Sequence, residues 1–436
     1  MLEHPPITNE QEYSDSAHLA FTPEIQKINR EYPYWNQVKY IETKEQYSKE
    51  KLWFALKFLR QLNRTIVKFG KYNFSFTATD EMFELLHYFD MNIGGSLTGE
   101  ILIPSEDRNT YLVSSIMEEA IASSQMEGAT TTRKVAKDML RKSEKPRNKS
   151  QQMILNNYLT IHYIKEHAQE NFSISRLKEI HRTMTANTLD DANDAGKIRE
   201  QHDNILIMDG ITGDVAYHPP HYEELEELLL DFEKFFNQNE KTFIHPIVKG
   251  IIVHFMLSYI HPFVDGNGRT ARSLFYWYMI RQGYWLIEYM TISRIIYNTK
   301  RMYEKAFLYT EYDENDLTYF ILYNLRTMKK AFEELKTYLK RKSEENNSIS
   351  LLTRIRGINA RQAQIIKIVQ DNNNASFTVK EIESRFAVSN FTARTDLEGL
   401  VNLGYLSEIK INKVKRSYIK SEQFAILIKE SLHKRS

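Results

Sequence analysis

The stretch HPFVDGNGRTAR, which begins at His261, combines residue types that rarely serve packing alone. His261 can titrate near neutral pH and take a proton from an attacking hydroxyl. Gly266 and Gly268 allow backbone angles closed to other residues and let main-chain amides approach an anion. Arg269 and Arg272, three positions apart on a helix, present planar guanidinium groups that suit phosphate oxygens. This combination predicts transfer of a phosphate-containing group from a nucleoside triphosphate to a hydroxyl.

An acidic residue in the same stretch predicts a metal ion. Asp265 would be repelled by phosphate unless a cation lies between them. A hard cation such as Mg²⁺, shared between the carboxylate and phosphate oxygens, removes that conflict. We therefore expect Asp265 to be a Mg²⁺ ligand.

The elements that hold this stretch are predicted to be helices. HPIVKGIIVHFMLSYI is an apolar helix that ends where Pro262 follows His261. GNGRTARSLFYWYMI starts a second helix, and a glycine-rich turn that opens a helix offers free N–H groups and the positive end of the helix dipole. Phe263 is expected to be buried and to anchor the turn.

Nearly all of the chain from Lys44 to Lys342 has helical periodicity, so the predicted fold class is mainly α. In KEQYSKEKLWFALKFLRQLNRTI, for example, Leu52, Leu56, Leu59 and Leu62 share one helix face. RKSEKPRNKS is predicted to be an exposed connection, and KRKSEENNSIS a polar linker.

NILIMDGITGDVAYHPP is an exception to the helical pattern. A short β-prone run from Asn204 to Met208 precedes an Asp-Gly turn, and Val215 to Tyr217 returns before two prolines. This pattern predicts a β-hairpin within a helical protein. A plain surface excursion is the alternative.

Composition excludes several classes of protein. The 436 residues suffice for two or three domains, and a net charge of +1 indicates neither a nucleic-acid nor a membrane partner. The absence of cysteine excludes disulfides, thiolate nucleophiles and cysteine zinc sites. The N-terminus lacks the pattern of a signal peptide, and the most apolar helix is too short to span a membrane. We therefore expect a soluble, cytoplasmic protein with no membrane contact.

HPFVDGNGRTAR resembles the signature of the Fic family, His-x-Phe-x-Asp-Gly-Asn-Gly-Arg-x-x-Arg, at every fixed position. Members of that family typically use ATP and Mg²⁺ to transfer AMP to a Ser, Thr or Tyr hydroxyl of a target protein. The resemblance implies His261 as the base and Asp265 as the metal ligand. It implies phosphate binding by Gly266, Asn267, Gly268, Arg269 and Arg272, the last on the γ-phosphate.

Two other segments look like parts of the same family. The hairpin resembles its flap, which holds a target segment in extended form through edge backbone groups. The implied docking residues are Asn204, Ile205, Leu206 and Ile207. ISRIIYNTKRMYEKAF resembles the helix that follows the signature, which implies that Asn298 and Tyr303 lie near the base as ATP-binding residues.

SSQMEG, at positions 123–128, resembles the inhibitory motif Ser/Thr-x-x-x-Glu-Gly/Asn of the family. Ser123 and Glu127 are one helical turn apart, and Gly128 is a suitable helix end. The resemblance implies that Glu127 pairs with Arg272 and takes the place of the γ-phosphate. An ordinary structural glutamate and a glutamate that positions water for AMP removal are the alternatives.

The tail is predicted to be a separate basic domain. Residues 351–436 contain 15 Lys and Arg against 8 Asp and Glu, a net charge of +7, which leaves about −6 for the rest. The order of elements predicts a winged helix-turn-helix, with helices from Gln362 to Gln370 and from Thr378, a turn at Ala387–Ser389, and a recognition helix from Asn390 to Leu403.

The partner of this tail is left open between DNA and protein. The groups expected to face phosphates are Thr392, Arg394, Lys410, Lys413, Lys415 and Arg416. Asp396 and Glu398 weaken the recognition helix as a DNA-binding face, and winged helices often mediate protein contact or dimerisation.

The sequence thus predicts three parts: an N-terminal helical region (1–145), a Fic-like catalytic core (146–342) and a winged helix (351–436). The predicted function is protein adenylylation, autoinhibited in cis, with self-modification and a homodimer left open. One alternative is a DNA-binding regulator with a sensory or inert Fic-like core. Another is an enzyme that removes AMP from its target or transfers a different phosphate group to it.

Overall fold

The computed structural model describes residues 2–7, 13, 16–44, 47–94, 108–203, 205–208, 215–238, 242–353, 355–386, 388–410 and 416–433. Contacts divide the chain into two compact units. The N-terminal unit is Met1–Leu335, and the C-terminal unit is Lys336–Ser436.

The N-terminal unit is built mainly from α-helices. Their bounds are α1 Pro23–Arg30, α2 Trp35–Val38, α3 Lys49–Leu62, α4 Asp80–Asn92, α5 Arg108–Met126, α6 Arg133–Arg141, α7 Lys149–Glu166, α8 Ile174–Thr185, α9 Leu225–Asn237, α10 Pro246–Ile260, α11 Asn267–Arg281, α12 Ile292–Asn298 and α13 Lys300–Tyr312. Helix α14, Thr318–Thr353, contains the boundary between the units. The prediction of a mainly α fold is confirmed. Among the described residues, every helix is too short or too polar to cross a membrane.

The core of this unit surrounds α10. Nearly every residue of that helix is buried, and it packs closely against α11, which is also almost wholly buried. Helix α5 packs against α7 and α12. This packing fixes the turn between α10 and α11 among rigid elements.

Two antiparallel hairpins interrupt the helices in the described part of the N-terminal unit. The first pairs β1, Arg64–Phe69, with β2, Tyr72–Thr77. The second pairs β3, Ile207–Met208, with β4, Val215–Tyr217, as the β-hairpin prediction expects.

The helical expectation for the segment of the first hairpin was wrong. Ser48 caps α3, which ends at Leu62, and the chain then turns at Gly70 with a φ of +50°. Val67 and Phe69 are buried in alternation with exposed neighbours, which is a strand pattern rather than a helix pattern.

The predicted polar linker KRKSEENNSIS was also wrong, because α14 continues through it to Thr353. Lys, Arg and Glu are good helix formers even where nothing buries them. By contrast, RKSEKPRNKS does form an exposed connection between α6 and α7.

The C-terminal unit contains four helices among its described residues after α14. These are α15 Ala360–Asp371, α16 Val379–Phe386, α17 Asn390–Asn402 and α18 Phe424–His433. Its strands are β5 Ser376–Phe377, β6 Leu406–Lys410 and β7 Arg416–Lys420, arranged in the antiparallel order β5-β7-β6. The unit has its own apolar core, which includes Ile366, Leu397 and Tyr418.

Candidate active site

His261 lies directly after α10 in a left-handed conformation, with φ 49° and ψ 57°. Its Nδ1 lies 3.2 Å from the carbonyl oxygen of Ser258, which favours the tautomer that carries the proton on Nδ1. Its Nε2 is then an acceptor. Burial lowers the pKa of His261 to about 4, so the ring is neutral at physiological pH.

Arg199 supports the backbone around His261. Its Nε donates to the carbonyl oxygen of His261 at 2.8 Å, and its own N–H donates to the carbonyl oxygen of Pro262 at 2.9 Å. Arg199 belongs to no recognisable sequence motif, since its role depends entirely on tertiary contacts.

The turn between α10 and α11 is closed by Asn267. This buried amide accepts from the N–H of Phe263 at 3.0 Å and donates to the carbonyl oxygen of Phe263 at 2.7 Å. Gly266 has a φ of +83°, and a Cβ there would lie 2.7 Å from a methyl group of Thr185. The Asn267 side chain therefore shapes the turn, so only its backbone N–H is available to a ligand.

His181 holds the same turn from α8. Its Nδ1 accepts from the N–H of Gly196 at 2.9 Å, which leaves Nε2 to donate to the carbonyl oxygen of Asp265 at 2.7 Å. Its ring stacks on Phe263 with centroids 3.7 Å apart. His181 is a further residue that sequence reasoning missed.

Arg272 and Arg269 are both buried near the start of α11. Arg272 donates from Nε to the hydroxyl of Ser123, and from Nη2 to the carbonyl oxygen of Ser123, both at 2.9 Å. Arg269 donates from Nη1 to the carbonyl oxygen of Met184 at 3.2 Å, while its Nε has no partner among the described residues. Both cations therefore lie beside the first turn of α11, where N–H groups are free.

Glu127 pairs with Arg272. Its Oε1 accepts from Nη2 of Arg272 at 2.9 Å, just beyond the end of α5. Burial opposes ionisation of this carboxyl, but attraction to Arg272 and the hydrogen bond outweigh it, so the pKa of Glu127 lies below its ordinary value. The approach requires Gly268, because a Cβ at that position would overlap Oε1.

Comparison with known proteins identifies the domain that contains this site. The model of the Fic/DOC family matches residues 171–279. The chain contains a Fic domain. The site residues His261 to Arg272 lie within the match, whereas Ser123, Glu127 and α13 lie outside it.

Curated relatives and a solved structure agree with that assignment. Protein adenylyltransferase Fic from Nematostella vectensis is 32% identical over 115 residues, which cover 26% of this chain and 24% of the relative. Protein adenylyltransferase Fic from Drosophila melanogaster is 41% identical over 66 residues, 15% of this chain and 13% of the relative. The chain thus aligns with a quarter or less of these relatives. A Fic family protein from Desulfovibrio desulfuricans G20 has the same fold, with a TM-score of 0.50, 17% identity and coverage of 80% of this chain and 98% of that one.

A cavity of about 280 Å³ opens beside the Fic signature. Its lining residues come from the signature, the ends of α5 and α10, the second hairpin and α13. They include Glu127, Ile207, Met208, Tyr217, Ser258, His261, Gly268, Arg272, Lys300, Tyr303, Glu304, Phe307, Leu308 and Glu311. Lys300, which was not predicted, also donates to the carbonyl oxygen of Met126 at 3.3 Å.

The predicted flap contributes only part of its residues to this cavity. Ile207 lines it from β3, together with Met208, whereas Ile205 and Leu206 precede the strand and do not line it. Asn204 lies outside the described residues.

The two predicted ATP-binding residues after the signature differ in position. Tyr303 lines the cavity, and its hydroxyl bonds to Nε2 of His254 at 2.9 Å. Asn298 is exposed at the end of α12 and does not line the cavity, so the structure does not bring it to the described site.

Asp265 has an accessible carboxylate, with 56% of its side chain exposed. One oxygen accepts from the N–H of Gly266, and the other lies 4.0 Å from Nη2 of Arg269. No group of three or more candidate metal ligands occurs in the described part of the chain. One exposed carboxylate beside a phosphate site nevertheless suits Mg²⁺, which often takes one or two carboxylates plus phosphate oxygens and water.

In the C-terminal unit, Asp396 is buried rather than presented on the surface of α17. It accepts from Nε of Arg361 at 2.6 Å and from the side-chain amide of Asn359 at 2.7 Å. The expectation that Asp396 weakens an exposed binding face was therefore wrong. Lys413, Lys415 and the predicted turn residue Ala387 lie outside the described residues.

Proposed function

We propose that this Fic-domain protein transfers AMP from ATP to a Ser, Thr or Tyr hydroxyl of a target protein. The observation that carries the proposal is the convergence of a neutral His261 with Gly268 and Arg272 on one cavity. The curated relatives named protein adenylyltransferase support AMP as the transferred group.

In this proposal, His261 is the general base. Nε2 takes the proton of the target hydroxyl as its oxygen bonds to the α-phosphorus, and the bond to the β-phosphate oxygen breaks. Pyrophosphate leaves, and His261 returns the proton to solvent. The negative charge of bound ATP raises the basicity of a ring whose pKa is low in the free site.

The start of α11 would hold the phosphates. Free N–H groups at Asn267 and Gly268 and the positive end of the helix favour anions, and Arg269 and Arg272 add two buried cations. The exposed carboxylate of Asp265 would hold Mg²⁺, which neutralises phosphate charge when bound.

Glu127 would inhibit this reaction in cis. Its carboxylate takes the Nη2 donor of Arg272 that a γ-phosphate needs, and its negative charge repels that phosphate. ATP would then bind in a pose unsuited to AMP transfer.

Incubation with Mg²⁺ and α-labelled ATP tests the proposal. We would compare wild type, Glu127→Gly and Glu127→Gly/His261→Ala, and follow label on the protein itself and on lysate proteins. Label on the single variant alone supports both the chemistry and the inhibition. If no variant acquires label although ATP binds, adenylylation is excluded, and AMP removal from a labelled target becomes the next assay.

The C-terminal unit is proposed to be a winged helix that directs the protein to a partner. The burial of Asp396 removes one of the two acidic groups from the predicted recognition face, which supports DNA as a partner, although Glu398 remains exposed. Anisotropy with labelled duplex DNA tests this: affinity that falls steeply with salt supports DNA, whereas no binding at low salt favours a protein partner.

A further inference from the structure

Glu311 is a second carboxyl in the candidate active-site cavity, and the proposed chemistry does not use it. It lies near the end of α13, and its Oε2 is fully buried with no hydrogen-bond partner among the described residues. An unpaired buried oxygen is costly unless a ligand satisfies it or the group is neutral.

The position of Glu311 along α13 separates it from the phosphate site. Lys300 contacts the backbone beside Glu127, and Glu311 lies about 16 Å further along the axis at 1.5 Å per residue. Phe307 and Leu308 line the cavity between these ends, and Ile207 of the flap also contributes an apolar wall. A nucleoside triphosphate whose phosphates lie at Arg272 would thus extend its base toward an apolar section of the cavity. This section ends at the carboxyl group of Glu311.

We infer that Glu311 selects the nucleobase of the bound nucleotide. As a neutral carboxylic acid, it would pair with a base edge that carries an amino donor beside a ring-nitrogen acceptor. Adenine has such an edge. The carbonyl oxygen accepts from the amino group, and the acid O–H donates to the ring nitrogen. Guanine presents two adjacent donors instead, which suit an ionised carboxylate. This inference rests on the proposed use of a nucleoside triphosphate.

The surroundings of Glu311 favour the neutral acid. Burial raises the pKa of Glu311 to about 8. Within the described part of the chain, the hydroxyls of Tyr217, Tyr259 and Tyr312 interact with it electrostatically, and their pKa values are all raised, mainly by burial. These phenols remain neutral in the range where Glu311 titrates.

Other ionisable groups that line the cavity either form pairs of opposite charge or titrate in a pH range different from that of Glu311. Arg272 pairs with Glu127, Lys300 lies 3.9 Å from Glu304, and burial lowers the pKa of His261 to about 4. The neutral form of Glu311 is present below pH 8 and lost above it, so adenine preference should decline as the pH rises through about 8.

Calorimetric titration of the full chain tests this inference. In a Glu127→Gly background at pH 6.5, with MgATP, MgGTP and inorganic tripolyphosphate as ligands, we expect ATP to bind roughly tenfold or more tighter than GTP. Glu311→Gln, which keeps one donor and one acceptor, should retain that preference without its pH dependence. Glu311→Leu should bind ATP and GTP about equally.

Binding of tripolyphosphate distinguishes a failure of the inference about Glu311 from a failure of the proposed function. If it binds Glu311→Leu normally and ATP is still preferred over GTP as in the parent, Glu311 does not select the base, and this inference alone is overturned. If it does not bind the Glu127→Gly parent, the phosphate site and the proposed function fail together with the inference. Normal tripolyphosphate binding also reports that Glu311→Leu is folded.

Discussion

Nη2 of Arg272 lies 2.9 Å from Oε1 of Glu127, although 145 positions separate the two residues in the chain. The contact joins the end of α5 to the first turns of α11. It gives Arg272 two competing partners in the proposed reaction, the carboxylate of Glu127 and a phosphate of ATP.

Replacing Ser123 by Ala should weaken this contact without removing Glu127. Nε of Arg272 loses its acceptor, and an unpaired buried donor costs about 1–3 kcal/mol. We expect labelling from α-labelled ATP at a rate between those of wild type and Glu127→Gly. Ser124→Ala is the matched control, because the Ser124 hydroxyl donates to the carbonyl oxygen of Met153 instead. Equal labelling by both serine variants would contradict the role of Ser123.

Replacing His261 by Ala in the Glu127→Gly background should reduce labelling by about 10²–10⁴-fold, since the proton acceptor is lost. ATP affinity should persist, because His261 donates nothing to the proposed phosphate contacts. Undiminished labelling would remove the assignment of the base.

The pH profile of Glu127→Gly should reflect the low pKa of His261. Because the folded pKa is depressed from 6.5 to about 4, the neutral ring is kept until the pH falls through about 4. We therefore expect kcat/KM to be nearly constant between pH 7 and pH 5. If kcat/KM instead fell by half near pH 6.5 while ATP affinity stayed constant, His261 would have an ordinary histidine pKa.

Replacing Asp265 by Ala should raise the Mg²⁺ concentration needed for half-maximal labelling by about tenfold or more. The physical reason is the loss of the only carboxylate within the described Fic signature. Asp203→Ala provides a control, since this acid accepts from the N–H of Glu200 and does not line the cavity. An unchanged metal titration for Asp265→Ala would contradict its role as a ligand.

Deletion of Leu351 to Ser436 should leave self-labelling by Glu127→Gly intact, because the cavity residues all belong to the N-terminal unit. Cooperative melting of the truncated chain controls for folding. Loss of label in a folded truncation would show that the C-terminal unit takes part in catalysis.

Local sequence patterns predicted much of the fold but not all of it. Helices α10 and α11 and the turn between them follow from apolar runs, Pro262 and Gly266. The hairpin β1-β2 was missed because the exposed but apolar Ile66 lies next to buried Val67 and breaks the alternation of polar and apolar residues, and because the segment directly follows α3. A short strand with an interrupted period of two is easily assigned to a neighbouring helical pattern.

The site was predictable only where its residues are consecutive or form a family motif. The signature and Glu127 belong to such motifs, whereas folding alone brings Arg199, His181 and Glu311 to the site. Asp396 illustrates the opposite error: its charge suggested an exposed residue, but it is buried and pairs with Arg361 of α15, a contact that spacing along the chain does not reveal. Burial of a charged residue depends on that partner rather than on local sequence.

The close approach of Glu127 to Gly268 limits which substitutions position 268 can accept. The space that a methyl group would fill there is occupied by Oε1 of Glu127, and in the proposed reaction phosphate oxygens enter beside the same backbone. A mutation at position 268 that displaces Glu127 would also narrow the entrance for ATP. In the proposed function, a change at position 127 would therefore activate the chain constitutively, whereas a change at position 268 would impair both inhibition and ATP binding.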